Sequence, residues 1–154
     1  MIGKPIDIIK FLYEQDKDTK FEVKEHKNKR SLNANNYAWQ LITQIADKLE
    51  TTKELVYKQM LRDYGQPLKA EGEAVITSAP SNIDLEEVEN VYCKKVGSGV
   101  VNGKQFNHYL LLRGSSTYDT KEMSSFIKGV VYEAKELEIE TLTPQEIAML
   151  KGVR

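Results

Sequence analysis

Cysteine is almost missing from this chain: Cys93 is the only one in 154 residues. A lone cysteine forms no intramolecular disulfide, and with only His26 and His108 beside it no standard zinc spacing can be assembled. A reducing, cytoplasmic setting is the expectation. Long apolar runs are missing too. Stretches such as Leu110 to Leu112 fall far short of the roughly 20 residues of a membrane span, and no apolar signal core follows Met1, so neither export nor membrane insertion is expected. Charge of one sign is lacking as well: the net charge is −1. Any electrostatic binding surface must therefore come from local clustering of Lys and Arg. Finally, the chain contains no GxSxG, Walker A, GxGxxG, HExxH or CxxC pattern. No motif spacing dictates a reaction, and no cofactor is expected.

What is present reads as a folded protein. Hydrophobic residues make up 40% and charged residues 29%, ordinary values for a globular domain. The length fits one domain over 1–154, or a compact unit completed by a partner. We expect an N-terminal strand-helix-helix part over 1–65, and a hairpin with C-terminal helices over 90–154.

Pro5 suits a first helical turn, and Ile6, Ile9, Phe11 and Leu12 give it a short apolar stripe. Phe21, Val23 and Glu25 then alternate with Glu22, Lys24 and His26, the period of a strand with one buried face. From Ser31 the period becomes helical, with Leu32, Trp39, Ile42, Ile45, Ala46 and Leu49 on one side. Thr51 and Glu54 form a capping-box pattern for a second helix, whose apolar side is Leu55, Val56, Met60 and Leu61 and which Gly65 stops.

Residues 66–90 read as a loop, a short strand near Ala74 to Thr77, and a helical turn at Asp84 to Glu89. Asn102-Gly103 is a two-residue hairpin signal of type I′, which sets Phe106 opposite Gly99 and His108 opposite Gly97. Unbroken alternation from that turn places Tyr92, Lys94 and Tyr109 on one face. Asp119 and Glu122 cap an amphipathic helix through Met123, Phe126, Ile127, Val130, Val131, Ala134 and Leu137. Thr143, Pro144 and Glu146 open a last short helix. The order α, β, αα, β-hairpin, αα, without βαβ alternation, is that of an α+β fold.

Chemistry is sparse. His108 follows Asn107, a fragment of an HNH nuclease pattern without the second histidine and metal ligands it needs. Asp84, Glu86, Glu87 and Glu89, and Glu133, Glu136, Glu138 and Glu140, are acidic clusters of the kind two-metal nucleases use and solvated helices carry. Arg113-Gly-Ser-Ser-Thr precedes a helix and serves either as an anion-binding turn or as a helix cap. Lys27, Lys29 and Arg30 form a basic turn, either solvated or binding.

Arg30-Ser31-Leu32, Asn35 and Trp39 spell R-S-L-x-x-N-x-x-x-W. This pattern resembles the NinB family of phage recombination proteins. Gly114-Ser115-Ser116-Thr117 before the amphipathic helix is similar to that family's serine-rich turn and helix, and the chain's ending resembles phage proteins encoded among replication and recombination genes. The resemblance implies a bacteriophage origin and a non-catalytic mediator: an intertwined homodimer that binds single-stranded DNA, cooperates with single-stranded-DNA-binding protein and helps load a recombinase.

Lys27, Lys29 and Arg30 are then the first candidates for phosphate contact, and Lys94 and Arg113 with Tyr92 and Tyr109 the second. Ser31 and Asn35 are expected to fix the helix start, Trp39 to anchor that helix in a core or dimer interface, and Ser115 and Ser116 to form the second turn. The rivals are a metal-dependent structure-specific nuclease and a non-enzymatic module that binds a host replication protein.

Overall fold

The computed structural model describes residues 1–26 and 32–150, with backbone alone at positions 32 and 33. Lys27, Lys29 and Arg30, expected to form a basic turn, and Ser31 after them lie outside the described residues. The fold is α+β. Its helices are α1 (Pro5–Tyr13), α2 (Leu32–Lys48), α3 (Lys53–Tyr64), α4 (Thr120–Glu136) and α5 (Pro144–Leu150), and an antiparallel sheet region lies between α3 and α4. None is long and apolar enough to cross a membrane.

Pro5 stands at the start of α1 as expected, but this helix buries none of its residues. Phe11 meets Phe21 edge-on at 6.1 Å. The strand expected over 21–26 does not form: these residues are irregular and exposed. Two apolar side chains, Phe21 and Val23, define too little of a buried face, and an extended segment without a paired neighbour leaves its backbone groups to water.

Helices α2, α3 and α4 pack around the main core. On α2, Ile42, Ile45 and Ala46 are buried as expected, joined by Ala34, Tyr37, Ala38 and Leu41, which widen the stripe to the face a central helix presents to two neighbours. Leu49 lies past the helix end and is exposed. The cap of α3 is Thr52, whose side chain accepts from Leu55 N–H at 3.3 Å, and not Thr51. Thr51 N–H is already committed to Ala46 C=O at 3.0 Å, a bond that closes α2 after Glu50 takes φ 55°. With that start, Val56, Tyr57, Met60 and Leu61 turn inward and Leu55 faces out.

Helix α4 has the expected Asp119–Glu122 capping box and buries Met123, Phe126, Ile127, Val130, Val131 and Ala134. Gly129 also lies on this face for a steric reason. A Cβ there would overlap the Tyr64 ring, which lies directly on the α4 backbone. The Tyr64 hydroxyl donates to Glu133 at 2.6 Å, one turn further along.

The strands are β1 (Lys69–Ala70) with β2 (Glu73–Ala74), and β3 (Ile76–Pro80), β4 (Cys93–Val101) and β5 (Lys104–Leu111) in the order β3-β5-β4. Asn102 and Gly103 both take positive φ, 51° and 76°, as a type I′ turn requires. Gly99 pairs with Phe106 and Gly97 with His108, as expected. Past Gly97 the alternation breaks: Lys95 pairs with Tyr109, so Val96 is an unpaired bulge. The extra residue exchanges the faces of β4 below it. Cys93 and Lys95 share a face with Tyr109 and Leu111, and Lys94 moves to the face of Phe106, His108 and Leu110.

The bulge makes a second core possible, in which Ala79, Cys93 and Tyr109 are buried together under Leu85 and Val91. The residues that precede β4 include a short 3₁₀ turn, Leu85–Glu87, capped by Asp84.

Candidate nucleic-acid interface

The other face of the sheet is open over most of its length, with Leu110 at one end packing against the main core. Along β5 it carries Lys104, Phe106, His108 and Leu110, with Ile76, Ser78 and Pro80 on one flank and Lys94, Gly97 and Gly99 on the other. Phe106 and His108 are half-buried, whereas Lys94 and Lys104 are exposed. Two glycines make room for the histidine ring. A Cβ at Gly99 would stand 3.3 Å from His108 Nε2, and one at Gly97 would stand 3.7 Å from Cδ2. Ser78 Oγ holds Nδ1 at 2.6 Å and fixes the ring against the sheet. Two rings on one face of an antiparallel sheet, with an ammonium group toward each end, can offer stacking surface and phosphate contact. The hairpin signal is enough to set Phe106 and His108 opposite glycines. That they share a face with Lys94 is not readable from sequence, because the bulge at Val96 has no local signature.

The residues selected from the sequence are distributed differently. Tyr109 is 1% exposed and belongs to the second core, its hydroxyl donating to Ile83 C=O at 3.4 Å. Its ring is not presented on a surface, and the expected face with Lys94 is corrected by the bulge. Tyr92 is half-buried and stacks on Tyr57 at 5.6 Å and 7°. Arg113 pairs with Glu122 and lies over the Tyr118 ring at 5.4 Å. Its charge is matched within the fold. Trp39 meets Tyr57 edge-on at 4.2 Å and packs against the main core.

The two halves of the sequence pattern meet. Asn35 Oδ1 accepts from Ser115 Oγ at 3.0 Å. Ser115 N–H donates to the Tyr57 hydroxyl at 2.7 Å, and that hydroxyl lies 2.9 Å from Ser115 Oγ. One proton arrangement satisfies the whole set: Ser115 Oγ donates to Asn35, and Tyr57 donates to Ser115 Oγ while accepting from its N–H. The buried Ser115 donors are therefore committed within the protein and do not face an anion. Thr117 Oγ1 donates to Gly114 C=O at 2.7 Å, the capping arrangement of the same turn, and Ser116 is exposed.

Among the described residues no three His, Cys, Asp or Glu side chains gather as a metal site would require. Burial, and then the carboxylate of Glu86, push the Cys93 thiol up, away from the reactive thiolate. Comparison with protein-family models, curated proteins and solved structures finds no match to this chain.

Proposed function

We propose that this protein is a non-catalytic, single-stranded-DNA-binding accessory factor of recombination. The observation that carries the binding part is the open face of the three-stranded sheet, where Phe106 and His108 lie between Lys94 and Lys104. Rings stack on bases without regard to sequence, at about 1–3 kcal/mol per base, and ammonium groups release counterions from phosphate. The basic cluster Lys27, Lys29 and Arg30 adds phosphate contacts in this reading. The recombination part rests on the resemblance to the NinB family, which implies a phage protein in the bacterial cytoplasm, cooperation with single-stranded-DNA-binding protein and recombinase loading. A homodimer fits the exposed apolar side chains of α1, Ile6 and Ile9 at 57% and 51% exposure, which a second copy would cover.

A low-salt titration of single-stranded against duplex DNA tests the reading, with preference for single strands as the expected result. Replacing Lys27, Lys29 and Arg30 by Ala lowers the log-log salt slope by about 0.7 for each phosphate no longer neutralised, and an unchanged slope removes that cluster from the site. Labelled DNA incubated with Mg²⁺, Mn²⁺ or EDTA stays intact; metal-dependent cutting would replace this reading with the nuclease.

A further inference from the structure

A concave surface lies between α2, α3 and the segment that leads into β4. It encloses about 320 Å³, and its walls include Trp39, Tyr57 and Tyr92 together with Glu54, Glu87 and Glu89. The rings form a connected set, Trp39 edge-on to Tyr57 and Tyr57 stacked on Tyr92. The fold holds the acidic segment in place. Lys58 reaches from α3 to the carbonyl oxygens of Glu86 at 3.1 Å and Val88 at 2.6 Å, tying that segment to the helix. Among the described residues Lys58 is the one cation on the walls, against three carboxylates. Among the same residues the ion pairs are Lys24–Glu22, Arg62–Glu86 and Arg113–Glu122, so none of these three carboxylates has a cationic partner there.

From this geometry we infer that the cleft is a docking site for a basic peptide segment of a partner protein, with an Arg or Lys side chain entering against Trp39 and Tyr92. The three carboxylates supply the complementary charge, and the aromatic wall gives the alkyl stem of that side chain apolar contact. Leu55, 56% exposed at the rim, offers contact to an apolar neighbour of that basic residue. The same charge disfavours a phosphate backbone, which separates this surface from the proposed DNA face. The cleft and the sheet face stand or fall independently.

Trp39 is the only tryptophan in the chain, so its fluorescence reports on the cleft directly. The test titrates the full chain with an acetylated, amidated Leu-Arg-Leu-Arg peptide, its Lys counterpart and its Gln counterpart at low salt, and repeats each by calorimetry. Saturable binding of the Arg and Lys peptides, absent for Gln, is the expected result. Glu87→Gln with Glu89→Gln, both on the surface, weakens it about five- to tenfold. Equal binding of the Gln peptide, no heat and no fluorescence change with any peptide, unchanged affinity in the double variant, or stronger occupancy by an oligothymidylate would each overturn the inference.

Discussion

Asn35 and Ser115 are separated by 80 residues and joined by a 3.0 Å hydrogen bond. Through Tyr57 the bond ties α2, α3 and the turn before α4 into one polar junction beside the main core. Replacing Tyr57 by Phe removes the acceptor of the buried Ser115 N–H. The expected cost is about 1–3 kcal/mol in urea unfolding. Asn35→Ala and Ser115→Ala are expected to be non-additive by at least about 0.5 kcal/mol in a double-mutant cycle, because each deletes the same hydrogen bond.

Gly129 makes a sharper case, because helix propensity and packing give opposite signs. Ala is favoured over Gly in a helix by about 1 kcal/mol. Yet the added Cβ would overlap the Tyr64 ring. We expect Gly129→Ala to destabilise by about 1–3 kcal/mol, and the Tyr64→Ala background to reverse that sign. Thermal melts of the four proteins check both.

The alkaline limb of stability should report two tyrosines. Burial pushes the Tyr118 hydroxyl up to about 12, and the hydrogen bond from Tyr64 to Glu133 pushes the Tyr64 hydroxyl up to about 12 as well. Each folded value lies above the ordinary tyrosine value of about 10. The native state therefore holds these protons more tightly. Their stabilising contribution is complete below pH ~10, falls as pH rises from ~10 to ~12, and is lost above that. Urea midpoints at pH 8 and pH 11 should converge in the Tyr64→Phe, Tyr118→Phe double variant relative to the parent.

Arg113 sits where the sequence invites a phosphate contact, yet it pairs with Glu122, the same residue that closes the α4 capping box. Arg113→Gln should therefore change stability more clearly than DNA affinity. Its salt slope should match that of the parent protein, as measured by fluorescence anisotropy.

Much of this fold is legible where a local rule acts alone. Asn102-Gly103 fixes the hairpin register as far as Gly97, and Asp119 with Glu122 marks the start of α4, because each depends on neighbours a few residues away. The bulge at Val96 is not legible. It exists because Cys93, Tyr109 and Ala79 can be buried together only if one residue of β4 is skipped, and that depends on three separate segments. The same nonlocal choice places Lys94 on the face of Phe106 and His108 and not on that of the expected tyrosine. The absent strand at 21–26 and the shift of the α3 cap to Thr52 have related origins. One lacks a partner strand, and the other gives up Thr51 to the end of α2.

The open sheet face is tested most directly by the salt dependence of oligothymidylate binding, comparing the parent chain with Lys94→Ala/Lys104→Ala and with Phe106→Ala/His108→Ala, all checked for folding by circular dichroism. The lysine variant should lower the log-log slope by about 0.7 for each phosphate it no longer neutralises, and the ring variant should weaken affinity by about 1–3 kcal/mol per stacked base at an unchanged slope. No binding by the parent at low salt, or binding that neither variant alters, would contradict the assignment of this face to single-stranded DNA.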